Sequence, residues 1–104
     1  MTVYHMKGTM YDRFVSKRTG KVYLDRIYAD KDLGLFLTKE AAVKRIMELS
    51  PNIELHDKIL DPMASGSDIN GFCWEVYSIP ELRYGTINSD MEWHYEIRER
   101  NVFE

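Results

Sequence analysis

Sixteen residues constrain this chain more than any others: Gly34-Leu35-Phe36-Leu37-Thr38-Lys39-Glu40-Ala41-Ala42-Val43-Lys44-Arg45-Ile46-Met47-Glu48-Leu49. A short apolar run leads into a residue able to cap a helix, and helical periodicity follows. The Thr38 hydroxyl can accept from a backbone N–H two or three residues on. Ala41 stands where a reciprocal capping box would place Glu or Gln. Glu40 puts negative charge at the positive end of the helix dipole. Pro51 pushes Ser50 out of helical geometry, so the helix is expected to stop near Leu49. At helical spacing Ala42, Val43, Ile46, Met47 and Leu49 share one arc, and Glu40, Ala41, Lys44, Arg45 and Glu48 the other. Glu40 and Lys44 are spaced for an ion pair across one turn. A helix apolar on one side needs a flat surface to cover.

The rest of the chain supplies that surface as strands. Val3–Met6 and Thr9–Val15 flank Gly8, read as a bulge or bend. Ser16–Lys21 is a hairpin loop in which Gly20 can take positive φ, and Lys21–Ala29 returns. Asp30-Lys31-Asp32 reads as a polar turn before Leu33–Leu37. Residues 52–60 are ambiguous: Ile53, Leu55 and Ile59 alternate weakly as a strand, while Leu55, Ile59 and Leu60 could share one side of a short helix. Asp61–Gly71, rich in Gly, Ser, Asp and Asn, reads as the longest loop. Gly71–Ile79 is the strongest strand signal, with Phe72, Trp74 and Val76 expected to face the helix near the middle of the sheet. Residues 80–85 end it and Thr86–Asp90 is a polar connector. Glu92–Arg100 alternates cleanly, with Trp93, Tyr95 and Ile97 inward and His94, Glu96, Arg98 and Arg100 outward. The expectation is an α+β single domain over 1–104: an antiparallel sheet of about five strands, one main helix (about 39–49) packed on one face, and a hairpin over 9–29 that projects.

Charge is unevenly spread. The chain carries net −3, but residues 1–31 hold seven basic side chains against three acidic ones, and the remainder is net −7. No apolar run approaches the length of a membrane span, and no signal-peptide pattern opens the chain. The single cysteine, Cys73, excludes an intrachain disulfide and paired-cysteine zinc binding, and reads as a small buried residue of a strand. These features together lead to the expectation of a cytoplasmic protein.

Chemistry-bearing residues are sparse. His5, His56 and His94 lie in separate segments without a second ligand at metal spacing; His56 and Asp57 with Asp61 and Asp68 are the nearest approach to a carboxylate–imidazole cluster. No nucleophile elbow or Cys–His arrangement is present. His94, Glu96 and Arg98 alternate onto one strand face, where they could serve as base, acid and phosphate clamp. Lys17, Arg18 and Lys21 at the hairpin tip, with Tyr11, Tyr23 and Tyr28 beside them, could grip single-stranded nucleic acid. Trp74 reads as core, and Trp93 as an anchor that could be partly exposed. No cofactor and no metal are expected.

The run Gly34–Ala42 resembles one seen in small phage and prophage accessory proteins: Gly-x-Phe-x-Ser/Thr, a charged pair, then alanines. Those chains also carry a Trp-Glu-Val-like run, here Trp74-Glu75-Val76. The resemblance covers residues 34–49 and 72–79. It implies a role shared by many such proteins, binding and blocking a host protein, as anti-CRISPR and other anti-defence inhibitors do in the host cytoplasm. The leading expectation is a non-enzymatic protein-binding module, with Lys17, Arg18, Lys21, Asp68, Asp90, Glu92, Trp93, Glu96 and Glu99 as partner-binding residues. Acidic members of that set could face a basic groove on the partner. The alternatives are a small nuclease or nucleic-acid-binding protein using the last strand and the basic tip, and a small-molecule binder with its pocket under Asp61–Gly71.

Overall fold

The computed structural model describes residues 1–49, 61–83 and 86–102, with backbone alone at 28–29, 80–83 and 86–90. The described elements are β1 (Thr2–Val15), β2 (Val22–Phe36), α1 (Lys39–Leu49), β3 (Ala64–Ser67), β4 (Cys73–Arg83) and β5 (Thr86–Asn101). The strands form one antiparallel sheet in the order β2-β1-β5-β4-β3. The β1–β2 hairpin and the β3–β4–β5 meander meet where β1 pairs with β5. The architecture is α+β, with a sheet that is curled rather than flat.

The helix forms where the sequence places it. Thr38 Oγ1 accepts the Ala41 N–H at 3.1 Å, and the Ala42 N–H bonds to the Thr38 carbonyl at 3.3 Å. Ala42 and Ile46 are wholly buried, and Val43 and Leu49 pack beside them. The helix's ion pair joins Arg45 to Glu48 at 3.3 Å, in place of the expected Glu40–Lys44 pair. Thr38→Ala leaves a first-turn N–H without its side-chain acceptor and should cost about 1 kcal/mol, read as a lower denaturant midpoint at constant slope.

Under α1 lies a core of Met6 from β1, Tyr77 and Ile79 from β4, and Tyr95 and Ile97 from β5, with Leu33, Phe36 and Trp93 against it. The alternation read for the last strand therefore holds. That of β4 is reversed. Trp74 and Val76 are in register with Arg98 and Glu96 on the face away from α1, whereas Glu75, Tyr77 and Ile79 face the helix. Tyr77 and Ile79 are each 4% exposed on that face, whereas Trp74 and Val76 are half-buried on the other. Glu75 is tolerated because Lys39 and the Tyr77 hydroxyl both donate to its carboxylate.

Strands run further than their sequence signals. β1 continues through Gly8 without a break. A Cβ at Gly8 would lie 3.3 Å from Leu33 Cδ1 and 3.4 Å from the Trp93 ring, so this glycine serves close packing rather than a bend. The irregularities fall in the partner strand instead. Three register shifts interrupt the β1–β2 ladder between Met6 and Tyr11, and Asp30 adopts φ of 51° within β2. The expected turn at 30–32 is thus a bulged stretch of strand, and bulges of this kind bend a sheet. The loop expected at 61–71 contains β3, whose Gly66 pairs with Trp74. The connector expected at 86–90 belongs to β5, which closes a hairpin with β4 through Leu82–Ile87 and Arg83–Thr86. Cys73 is exposed, against the buried position read for it. The reading for 52–60 lies outside the described residues.

Candidate functional site

Two places stand out, and the first is the hairpin. β1 stays paired with β5 only as far as Asp12 opposite Met91; beyond that, among the described residues, 13–24 pair with one another alone. The molecule is accordingly long, 52 × 31 × 22 Å. The turn is built as the sequence predicts. Ser16 Oγ accepts the Arg18 and Thr19 N–H groups, Gly20 N–H bonds to the Ser16 carbonyl at 2.8 Å, and Gly20 takes φ of 72°.

The shaft behind this turn carries the surprise. Phe14 and Tyr23 sit opposite each other with rings stacked at 5.6 Å. Phe14, Val15, Val22, Tyr23, Leu24 and Ile27 are each 40–52% exposed. Residues 13–24 hold four cations (Arg13, Lys17, Arg18 and Lys21) and no carboxylate. A two-stranded ribbon is marginal in water; the register puts Phe14 and Tyr23 on one face of it and Val15, Val22 and Leu24 on the other, and exposed apolar side chains grouped in this way mark a contact surface.

The second place is a cleft of about 410 Å³ on the sheet face away from α1. Lys7, Thr9 and Tyr11 of β1 and His94 and Glu96 of β5 line it, with Trp74 of β4 as a wall and Asp30 of β2 at its side. The indole of Trp74 lies across Gly66, where a Cβ would come within 2.8 Å of the ring. The Tyr11 and His94 rings are 4.5 Å apart and tilted by 45°. His94 Nε2 is 3.2 Å from Glu92 Oε1, and Ser78 donates to the other carboxylate oxygen at 2.9 Å. Glu92 therefore fixes the ring and its tautomer. Arg98 Nε donates to Glu96 at 3.0 Å. Further along the same face His5 Nε2 meets Asp32 at 3.0 Å, and Arg100 approaches His5 Nδ1 at 3.2 Å. The Gly34 N–H, and then His5, hold Asp32 below the ordinary carboxylate range.

The residues expected to bind a partner do not form one surface. Lys17, Arg18 and Lys21 cluster at the exposed hairpin tip. Glu92 and Glu96 lie on the cleft face, already engaged by His94, Ser78 and Arg98. Trp93 is on the opposite face, stacked with Tyr95 at 5.9 Å, with the Lys31 ammonium 5.9 Å from its ring. Asp68 serves its own turn, accepting the Asn70 and Phe72 N–H groups, with Arg98 at 3.7 Å. Glu99 accepts the Cys73 N–H at 3.3 Å. The side chain of Asp90, like the residues His56 and Asp57, lies outside the described set.

Sequence reading found the tip cations and expected the 9–29 hairpin to project, but it did not single out the apolar side chains exposed on it, because Phe14, Val15, Val22, Tyr23 and Leu24 are ordinary strand formers. The signal was length: β1 and β2 carry strand character well past the residues available to pair with them. The cleft was half visible, as the polar face of the last strand. Its Trp74 wall was hidden by the reversed reading of β4.

Among the described residues, no group of three or more His, Cys, Asp or Glu side chains is placed to hold a metal ion, and no helix is long and apolar enough to cross a membrane. No protein family matches the chain, and neither does any curated protein or solved structure.

Proposed function

We propose that this protein is a non-enzymatic binding module that grips a partner protein with its β1–β2 hairpin. The observation that carries the reading is the half-exposed apolar shaft, Phe14, Val15, Val22, Tyr23, Leu24 and Ile27, behind a cationic tip. A partner that fits has an apolar groove closed by acidic side chains, so that shaft and tip are satisfied together. A membrane suits the hairpin less, because insertion would want the apolar residues at the tip, where Ser16–Lys21 is polar. Duplex nucleic acid would meet the cations but leave the apolar shaft without a role. The likeness of residues 34–49 and 72–79 to phage and prophage accessory proteins makes a host protein, such as a defence component, the first partner class to test.

A photoreactive side chain at Tyr23 should give one discrete crosslinked species in host cells, and the same group at Lys44 on the exposed arc of α1 should not. Phe14→Ser with Leu24→Ser should weaken the contact about 100-fold with little change in melting temperature, since neither side chain belongs to the core. Equal crosslinking from both positions, or crosslinking indifferent to the double substitution, removes the reading.

One observation favours a second reading. His94, Glu96 and Arg98 do share a sheet face, as a nucleic-acid-cleaving site would need. Incubation with RNA and with DNA decides it: cleavage abolished by His94→Ala would establish the nuclease reading, and cleavage equal to background in both proteins would end it.

A further inference from the structure

The open edge of the hairpin offers a second surface, made of backbone rather than side chains. β2 ends the sheet order, so among the described strands it has β1 on one side and no strand on the other. Residues Lys21 to Ile27 are all exposed. The turn fixes which amides point outward. The Ser16 N–H donates to the Lys21 carbonyl at 2.9 Å, and the pairs Val15–Val22, Phe14–Tyr23, Arg13–Leu24 and Asp12–Asp25 follow without a shift. In an antiparallel ladder hydrogen-bonded and non-bonded pairs alternate. Tyr23 and Asp25 therefore turn their backbone groups towards β1, and Val22 and Leu24 turn theirs to the open edge. Proteins guard such edges with bulges, prolines or charges. Here the register shifts begin only past the Tyr11–Arg26 pair, and β2 contains no proline.

The charges on this edge are unspent. Asp25 sits directly opposite Asp12, and like charges so placed disfavour a ladder. Among the described residues neither carboxylate has a hydrogen bond or an ion pair, and neither has the Lys21 ammonium. Lys21 and Asp25 share a face of the strand, but they stand about 13 Å apart along it and do not meet within one chain. A second copy brings them together. Two β2 edges related by a two-fold axis at Tyr23 run antiparallel. Val22 of each then lies opposite Leu24 of the other, and each such pair, with its amides turned outward, closes two backbone hydrogen bonds. One step further out, Lys21 lies opposite Asp25 at both ends. An axis at Leu24 would set Lys21 against Ile27, and an axis at Asp25 would set the two Asp25 carboxylates against each other. Of the three, the axis at Tyr23 alone matches cation with carboxylate.

We infer that two copies of this chain pair through their β2 edges, antiparallel about Tyr23, with Lys21 of each against Asp25 of the other. The pairing takes the edge of the ribbon and leaves its two faces, which bear the apolar side chains assigned to a protein partner. It stands whether or not that assignment does.

Sedimentation equilibrium at about 50 mM salt tests it. Between about 5 and 500 µM protein the mass should rise from 12.3 kDa towards twice that value. Asp25→Lys and Lys21→Asp each set like charges opposite one another at both ends, and each should weaken association about tenfold or more. Mixed in equal amounts, the two variants regain opposite charges at both ends and should associate as the parent does. Both side chains are exposed, so each variant keeps the fold, which its melting curve checks.

A parent that stays at 12.3 kDa throughout overturns the inference. So does association that both single variants retain, which would seat the contact elsewhere, and so do variants that fail to recover on mixing, which would break the register. The outcome is separable from the crosslinking test of the hairpin: a Tyr23 product of twice the chain mass is this pair, and a product of any other mass is a protein partner.

Discussion

Ile46→Ala should lower the unfolding free energy by about 3 kcal/mol, the largest single-residue effect expected here. Ile46 is wholly buried, one turn from the wholly buried Ala42, and the cluster it joins contains Met6, Tyr77, Ile79, Tyr95 and Ile97. Three of the strands contribute to that cluster, but one helix covers it. Truncating Ile46 removes methylene and methyl groups from water-free surroundings and leaves a cavity whose lining is anchored in three strands, so collapse around it is limited. The measurement is urea denaturation, with a fall in midpoint at unchanged slope. Lys44→Ala, on the exposed arc, is the control and should stay within about 0.5 kcal/mol of the parent. A small effect at Ile46 would mean that α1 does not hold the sheet together.

The second large effect concerns Glu75, which faces the core side of β4. Its carboxylate accepts from the Tyr77 hydroxyl and from Lys39 Nζ at 3.1 Å. The Tyr77 bond first, and Lys39 next, hold Glu75 below the ordinary carboxylate range, against the opposing pull of burial. Tyr77 is pushed well above its ordinary value by burial and then by Glu75, and Lys39 is raised by its bond to Glu75. Lys39 is 45% exposed, so its ion pair adds less than about 1 kcal/mol. The Tyr77 bond, charge-assisted and beside a buried ring, is the larger part. Glu75→Gln should therefore cost about 2 kcal/mol at neutral pH.

The pH dependence follows from the directions. A depressed carboxylate contributes stability that is complete above its unfolded value, near 4.5, and is lost as pH falls through the lower folded value. The parent and Glu75→Gln curves should converge on the acid side. The raised Tyr77 and Lys39 act in the opposite sense: their contribution is complete below their ordinary values, 10.0 and 10.5, and fades as pH climbs beyond them. Stability measured across pH by denaturation checks both limbs. A constant gap between the two proteins from acid to neutral pH would show that Glu75 contributes through packing alone.

How much of this was legible beforehand depends on the range of the interaction. The Thr38 cap, the buried arc of α1, the Ser16–Lys21 turn with its left-handed Gly20, and the alternation of the last strand are all local. Each rests on residues within four positions of one another, and each is found as read. The orientation of β4 was not local. Phe72-Cys73-Trp74-Glu75-Val76-Tyr77 carries apolar residues on both faces, and the charge of Glu75 argued for solvent. Lys39, 36 positions away, reverses that argument by donating to the carboxylate. The acidic residues grouped as a partner surface were grouped by sequence proximity. In the fold Glu92 and Glu96 separate from Trp93 by one step of the pleat and spend their charge on neighbours.

The sequence by itself determined that one capped, one-sided helix would cover an antiparallel sheet, because capping, periodicity and turn chemistry are written in short stretches. Only the tertiary structure decided which face of β4 is core, how far each strand finds a partner, and therefore what remains uncovered. The apolar residues of the hairpin are exposed for one reason: β5 leaves β1 at Met91, and nothing else among the described strands pairs with 13–24 except its own return. Exposure is a property of what the rest of the chain fails to cover, and no local pattern records it.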